Sequence, residues 1–427
     1  MPTCATPNAS IVVGAQWGDE GKGKWIDILA SKADIIARFQ GGNNAGHTLY
    51  INNEKIVLHQ IPSGIFHNDK ISIITAGVVV SPVQLLKEIE EVQRVAEISP
   101  KNFWLSTRAH VITPWHMYLD SLFETNAKNP IGTTKKGIGP TYADRANRTG
   151  LRIASYIDNA QYNQWISMMC ESQPGFKDHI QQNQSLWTEF ANAASEISKY
   201  ATEAEASLRK ELKNGKKLLL EGAQGTLLDL SFGTFPFVTS SCTTSGGALA
   251  SIGLSPKCVD KITGVAKAYI TRVGEGPFPT ELTDEIGKEL GRKGNEFGAT
   301  TNRPRRCGWF DAVAMRYAAD INGFDDIYLN KMDILSGFKT IKVAVAYKHP
   351  KLGNITEFPA CAHILKEIVP IYEEYAGWEE DISSAKEFSQ LPLNAQRYVR
   401  ALEEHCGTMV SYVGTGPNRQ DAIAVPH

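Results

Sequence analysis

Residues 10–24 read S-I-V-V-G-A-Q-W-G-D-E-G-K-G-K, and residues 41–48 answer them with G-G-N-N-A-G-H-T. The apolar run Ile11, Val12, Val13 gives way to glycines and lysines, after which Trp25, Ile28 and Leu29 fall at helical spacing. Strand, phosphate loop and helix are expected in that order. Glycines let backbone N–H groups converge on an anion, and the helix after them presents its positive end to the same point. Residues 18–24 fit G-x-x-x-x-G-K, but Trp25 stands where the common phosphate loop carries a Ser or Thr hydroxyl for magnesium. Another group has to hold a metal there. Asp19 is the substitute, because an acid in an anion-binding loop repels phosphate unless a cation or a proton transfer gives it a task. Taken by itself, the same stretch also reads as a tight strand-to-helix connection.

The composition narrows the partners. A chain of 427 residues suits one large domain or two to three ordinary ones of about 150 residues. The formal net charge of −2 offers no general attraction to nucleic acid or anionic membrane, so small anionic ligands are expected instead. The seven cysteines (Cys4, Cys170, Cys242, Cys258, Cys307, Cys361, Cys406) are odd in number and form no C-x-x-C pair, which reads as reduced thiols. Residues 1–9 lack the basic and apolar regions of a signal peptide and read as a flexible tail; no apolar run approaches membrane-spanning length. A soluble, cytoplasmic protein is expected.

Farther along, residues 34–39 read as a second strand that runs into the loop holding His47, and residues 48–51 and 55–60 flank a hairpin turn at Asn52 and Asn53. Residues 71–75 suggest another strand, and Ser81-Pro82 a helix start. This alternation predicts an α/β fold with a large, mostly parallel central sheet flanked by helices, its ligands gathered beyond the strands' carboxyl ends. Residues 132–152 look like a long loop in which Thr133, Thr134, Arg145 and Arg148 are donors for a phosphate monoester or a solvated basic surface. Residues 153–215 read as a helical insertion. A strand at 218–220 ends in E-G-A-Q-G-T-L-L-D, with Gln224 at the strand-to-loop junction; residues 239–247 form a hydroxyl-rich loop, and 262–273 a further strand. Residues 298–309 place Arg303, Arg305 and Arg306 beside two threonines, either a dicarboxylate site or a basic turn stiffened by Pro304. A strand at 326–329 runs into N-K-M-D, where a carboxylate can accept from both N1–H and the exocyclic amine of guanine, which adenine cannot supply. A helix at 394–406, a strand at 409–413 and the loop 414–419 complete one continuous domain, residues 1–427.

These features describe a guanine nucleotide site with magnesium and two further anion-binding loops. A GTP-dependent ligase or kinase fits them, and so does a regulatory GTPase switch. The switch is weaker, because Trp25 replaces the hydroxyl and the D-x-x-G at 284–287 follows no strand. The segments Q-W-G-D-E-G-K-G-K, N-A-G-H-T, I-P-S-G, G-I-G-P, E-G-A-Q-G-T, F-G-A-T-T, N-K-M-D and T-G-P together resemble the adenylosuccinate synthetase family, essentially end to end.

The resemblance implies GTP-driven joining of L-aspartate to inosine monophosphate (IMP) through a 6-phosphoryl intermediate. Asp19 would be the base at N1 of IMP, His47 a donor to the phosphates and Gln224 the residue that positions the purine oxygen. Mg²⁺ would be held by Asp19 and the carbonyl of Gly46. GTP would be bound by Gly18, Asp19, Glu20, Gly21, Lys22, Gly23 and Lys24, together with Gly46, His47, Thr48 and Arg305. Lys331, Met332 and Asp333, with Gly414, Thr415 and Gly416, would hold guanine. Asn44, Ala45, Thr134, Thr239 and Arg303 would contact IMP, and Arg148 would reach the neighbouring subunit's IMP, which implies a homodimer. Gly298, Ala299, Thr300 and Thr301, with Arg303 and Arg305, would line the loop over aspartate. Asn43, Gly414, Asn302 and Pro304 depart from the pattern associated with the family.

Overall fold

The structure, a computed structural model, describes residues 7–51, 54–128, 130–298 and 304–427. Asn52 and Asn53 of the expected hairpin turn lie outside them, as do Ala299, Thr300, Thr301, Asn302 and Arg303. Among the described residues the central element is a ten-stranded sheet. Its strands are β1 (Ala9–Gly14), β2 (Ile35–Arg38), β3 (Ile71–Ile74), β4 (Phe103–Ser106), β5 (Ala201–Thr202), β6 (Leu218–Glu221), β7 (Val259–Lys267), β8 (Asp326–Asn330), β9 (Val410–Gly414) and β10 (Ala422–Ala424). Their spatial order is β10-β9-β8-β7-β1-β6-β2-β3-β4-β5, and only the edge strand β10 pairs antiparallel.

Sheets of this kind are covered on both faces, so their strands read as nearly unbroken apolar runs. Alternate residues go to opposite faces. Val12, Ile36 and Leu219 pack with Trp25 and Ile26 of helix α1 (Lys22–Ala30). Ile11, Val13, Ile35, Ala37, Leu218 and Leu220 pack the other way, against the helices Ala204–Lys213 and Ser245–Ile252. Burying a side chain of this size is worth about 1.5–3 kcal/mol. That places β1 and its two neighbours firmly, and with them the loops that follow.

Four expectations are corrected. The tail expected over residues 1–9 ends earlier: Ala9 begins β1, and the Asn8 side chain donates to the carbonyl of Lys216 at 2.9 Å. The loop expected at 132–152 contains a helix, Ile138–Asn147. Its Gly139 and Pro140 fall in the first turn, where a missing N–H costs nothing, and only Ile138 and Thr141 are buried, so it shows little apolar periodicity. The strand expected at 262–273 divides: β7 stops at Lys267, and Ile270–Arg272 pairs instead with Arg306–Gly308 in a separate sheet. Finally, Cys170, Cys242, Cys307, Cys361 and Cys406 are free thiols, but Cys258 is disulfide-bonded. Sequence spacing has no signal for a disulfide between distant cysteines.

Helices Asn159–Ser172, Phe176–Gln182, Gln184–Ser198 and Ala204–Lys213 fill the expected insertion, which also supplies the sheet's edge strand β5. The hairpin is present as His47–Ile51 paired with Glu54–Leu58, with His47 opposite Leu58. No helix among the described residues is long and apolar enough to cross a membrane.

Candidate active site

β9, β8, β7, β1, β6 and β2 are consecutive neighbours in the sheet, and their carboxyl ends lead into the loops flagged in the sequence. The phosphate loop leaves β1 through Gly18 at φ 83°, Asp19 at 59° and Gly21 at 87°. Asp19, Arg148, Gln224 and Lys331 are four of the six non-glycine residues with positive φ among the described residues. Backbone of this kind is held by its surroundings and clusters at functional sites.

Glu20 is fully buried inside the loop. Its carboxylate accepts from the backbone N–H of Gln16 at 3.1 Å and of Gly18 at 2.8 Å, and from Lys22 Nζ at 2.7 Å. Lys22 also donates to the carbonyl of Gln224. Asn330, first residue of N-K-M-D, braces the loop from the next layer: its Nδ2 donates to the carbonyl of Glu20 at 2.6 Å, and its Oδ1 accepts from Trp25 Nε1 at 2.9 Å. Trp25 is thereby a buried strut where other phosphate loops carry a hydroxyl. Gly21 is required here, since a Cβ would lie 2.7 Å from Asn330 Nδ2.

Gly23 brings α1 against the hairpin strand that starts at His47, where a Cβ would meet His47 Cβ at 3.3 Å. His47 Nδ1 hydrogen-bonds Glu221 Oε1, and Glu221 also accepts from Ser63 N at 2.8 Å and Ser63 Oγ at 2.8 Å. Burial pushes the imidazole below its usual value, against the pull of Glu221. A carboxylate here can only accept, so the shared proton sits on Nδ1 and Nε2 is left for a ligand. Gln224 lies against the same loops, with its Oε1 accepting from Gln40 Nε2 at 3.2 Å.

Asp19 is paired with Arg305, whose Nε donates to Oδ2 at 2.7 Å; Arg305 Nη1 reaches Glu296 at 2.6 Å. Asp19 and the carbonyl of Gly46 are both oxygen donors, which suits magnesium, an ion that keeps much of its shell as water and substrate phosphate. Lys331 Nζ donates to the carbonyl of Gly294 at 2.5 Å, and burial raises the Asp333 carboxyl above its ordinary value. Met332 and Thr415 are both buried. Lys24 points toward this end: its Nζ donates to the carbonyls of Gly416 at 2.8 Å and Asp421 at 3.1 Å, and burial lowers it to about 8 against Asp421 and Asp333. Gly414 leaves room for that arrangement, since a Cβ would stand 2.7 Å from Asn330 Oδ1 and 3.2 Å from Lys24 Nζ.

On the other side of the phosphate loop, Asn44 Oδ1 accepts from the N–H of Gly42 at 3.2 Å, His59 Nδ1 bonds the carbonyl of Ala45 at 2.6 Å, and Lys136 Nζ holds the carbonyl of Asn43 at 3.0 Å. Helix Ile138–Asn147 reaches the same place through Tyr142, whose hydroxyl donates to Gly77 O at 2.8 Å. Gly139 faces Ser240 of the Thr239 loop, with Thr134 half-buried on the segment leading into the helix. Arg148 caps the helix, exposed, at φ 67° and makes no ion pair among the described residues. Thr48 and Gly46 are half-buried at the hairpin entry, and Gly298 is the last described residue before residue 304.

Sequence reasoning missed Glu221, Glu296 and Arg38. Glu221 and Arg38 are partners across β6 and β2, both wholly buried, and Arg38 Nη1 donates to the carbonyl of His59 at 3.2 Å. For these two the only signal was position, each being a charged residue that closes an otherwise apolar strand; Glu296 offered none.

The adenylosuccinate synthetase family model matches residues 11–423. The chain belongs to the adenylosuccinate synthetase family. Curated adenylosuccinate synthetases from Caldicellulosiruptor bescii and Pelotomaculum thermopropionicum are 46% and 45% identical to it, covering 96% and 97% of this chain and 98% of each relative. A fully ligated adenylosuccinate synthetase from Plasmodium falciparum superimposes with a TM-score of 0.93 at 39% identity, over 98% of this chain and 100% of that one. A cyanophage S-2L succinoaminodeoxyadenylate synthetase, 19% identical with a TM-score of 0.64, shares the fold. As a ligase of purine biosynthesis in the adenylosuccinate synthetase family, the chain carries out GTP-dependent ligation of IMP and L-aspartate. Nothing in these likenesses supports a regulatory GTPase.

Proposed function

We propose that the ligation runs through a 6-phosphoryl-IMP intermediate, with this chain's residues in the following roles. Asp19 takes the N1 proton of IMP, and the electron pair moves to O6, which attacks the γ-phosphorus of GTP as the bond to the β-phosphate oxygen breaks. Gln224 hydrogen-bonds the purine oxygen. His47, its Nδ1 proton held by Glu221, turns Nε2 to the phosphate oxygens and donates to them as the imidazolium, the form that the phosphate charge and Glu221 favour. The aspartate amine then forms its bond to C6 and expels inorganic phosphate, a far better leaving group than hydroxide. Asp19 and the Gly46 carbonyl would hold magnesium, which would supply charge neutralisation at the phosphates. Glycines and N–H groups of residues 18–24 cradle GTP, and Asp333 with Lys331, Met332 and Gly414 to Gly416 reads guanine. Asn44, Ala45, Thr134, Thr239 and Arg303 bind IMP. Gly298, Ala299, Thr300 and Thr301 attend aspartate.

The observation that supports these roles best is that the phosphate loop touches four other flagged segments: Gln224 through Lys22, the N-K-M-D segment through Asn330, the hairpin through Gly23 and Arg305 through Asp19. We also propose a homodimer in which Arg148 enters the neighbouring site. Supporting it, helix Pro114–Asn126 exposes Tyr118, Leu122 and Phe123 and is tied to the Arg148-bearing helix through His116 Nε2 and Asp144 Oδ2 at 3.1 Å. A single unit over residues 1–427, with an insertion at about 153–215, in the cytoplasm, completes the reading. The test is an ultraviolet assay for adenylosuccinate with Mg²⁺, IMP and aspartate, comparing GTP with ATP. Product with GTP alone is expected; equal product with ATP would remove Asp333 as a guanine reader.

A further inference from the structure

Glu296 closes no strand and belongs to none of the segments that flagged the site, yet its carboxylate is wholly buried at the centre of a charged cluster. Oε2 accepts from Lys267 Nζ at 2.9 Å and Arg305 Nη1 at 2.6 Å; Oε1 accepts from the Tyr269 hydroxyl at 2.5 Å and faces Lys331 Nζ at 3.3 Å. An ionised carboxylate has about four acceptor positions, so these donors saturate it. Burial opposes its ionisation, but Lys267, Lys331 and Arg305 outweigh that and hold it well below the usual range.

The donors divide by origin. Lys267 and Tyr269 sit at the end of β7 and just beyond it and are buried. Lys331 and Arg305 are the more exposed pair and lie on the segments read as guanine and aspartate-loop contacts. Each carboxylate oxygen therefore holds one interior donor and one ligand-side donor. Arg305 carries the constraint on to Asp19, and the backbone N–H of Arg305 also donates to the carbonyl of Glu296 at 2.9 Å.

We propose that Glu296 is a positioning residue for the ligase reaction, fixing the lysine of N-K-M-D and the arginine that faces Asp19 through one buried carboxylate. The assignment rests on the roles given above to Lys331 and Arg305. Without the carboxylate's charge, the three cations it now holds, Lys267, Lys331 and Arg305, repel one another, and Asp19 is the one carboxylate left to Arg305. Nucleotide and aspartate sites then loosen together, while the IMP side, of which only Arg303 shares a segment with Arg305, loosens less.

Glu296→Gln keeps the shape and removes the charge. The KM values for GTP and aspartate are expected to rise together by about tenfold, as loss of a charge-assisted hydrogen bond implies, with kcat reduced and the KM for IMP rising less, through Arg303 alone. Tyr269→Phe deletes one interior donor, touches no ligand and keeps the measurement available where the first variant folds poorly. It is expected to raise the same two KM values by a smaller factor, about threefold, because Glu296 keeps its charge and its contacts to Lys331 and Arg305. An equal rise in all three KM values, or normal values for GTP and aspartate in both variants, overturns the assignment of Glu296 alone. A wild-type protein that forms no adenylosuccinate in the same assay overturns the underlying roles as well.

Discussion

Asp19 occupies left-handed backbone at φ 59°, a conformation that costs a residue with a Cβ about 1–2 kcal/mol. The loop sustains it because Glu20 fills the interior with a carboxylate that gathers two backbone N–H groups and Lys22. Asp19 is then turned outward, toward Arg305. Asp19→Asn preserves this geometry and removes the proton acceptor, so turnover is expected to fall by about a thousandfold while GTP and IMP still bind. Titration calorimetry beside steady-state rates checks it, and near-normal turnover with intact binding would remove Asp19 as the base. Asp19 was legible in the sequence because an acid among glycines and lysines conflicts with phosphate binding. The partners Glu221 of His47 and Arg305 of Asp19 were not, because each pair is separated by well over a hundred residues and meets only across the folded sheet. Lys24 shows the limit of a motif: it fits the phosphate-loop pattern but its ammonium fastens the loop at Gly416.

Among the elements, helix Pro82–Val92 matters to the site through a residue on its buried face. Glu88 is buried and accepts from the backbone N–H groups of His59, Gln60 and Ile61, the run that leaves the His47 hairpin. Burial raises its pKa to about 7, against those three N–H groups and Arg38. The unfolded carboxyl releases its proton near its ordinary value of 4.5, the folded one near 7, so between them the folded state holds the extra proton. Stability contributed at this position is therefore expected to fall as pH rises from about 5 to about 8. Denaturant melts of the wild type and Glu88→Gln across that range test it, since the variant should lose this part of the slope; identical slopes would refute it. The helix start at Ser81-Pro82 was readable locally, as was helix Leu393–Cys406, expected from Asn394 onward. Helix Ile138–Asn147 was not, because its glycine and proline occupy the first turn and it buries only two side chains.

At the scale of the whole molecule, the exposed Arg148 and the apolar face of helix Pro114–Asn126 belong together in the proposed dimer. Arg148→Leu is expected to raise the KM for IMP by about tenfold, the loss of one charge-assisted contact. Mixing it with Asp19→Asn should restore activity, because a mixed dimer then contains one site with both residues intact. Unchanged IMP affinity, or no recovery on mixing, would place Arg148 outside the neighbouring site. The α/β class, the strand–loop–helix start and the guanine segment were legible in the chain because they depend on local spacing: apolar runs of strand length, glycines where backbone must turn, a carboxylate directly after a strand. The neighbour order of the strands, with β6 and β7 on either side of β1, is not local, and it decides which loops share a site. Buried carboxylates such as Glu20, Glu221 and Glu296 exist only as part of that order. A charge can stay in the interior only where distant segments bring it enough donors, and those donors are assembled by packing.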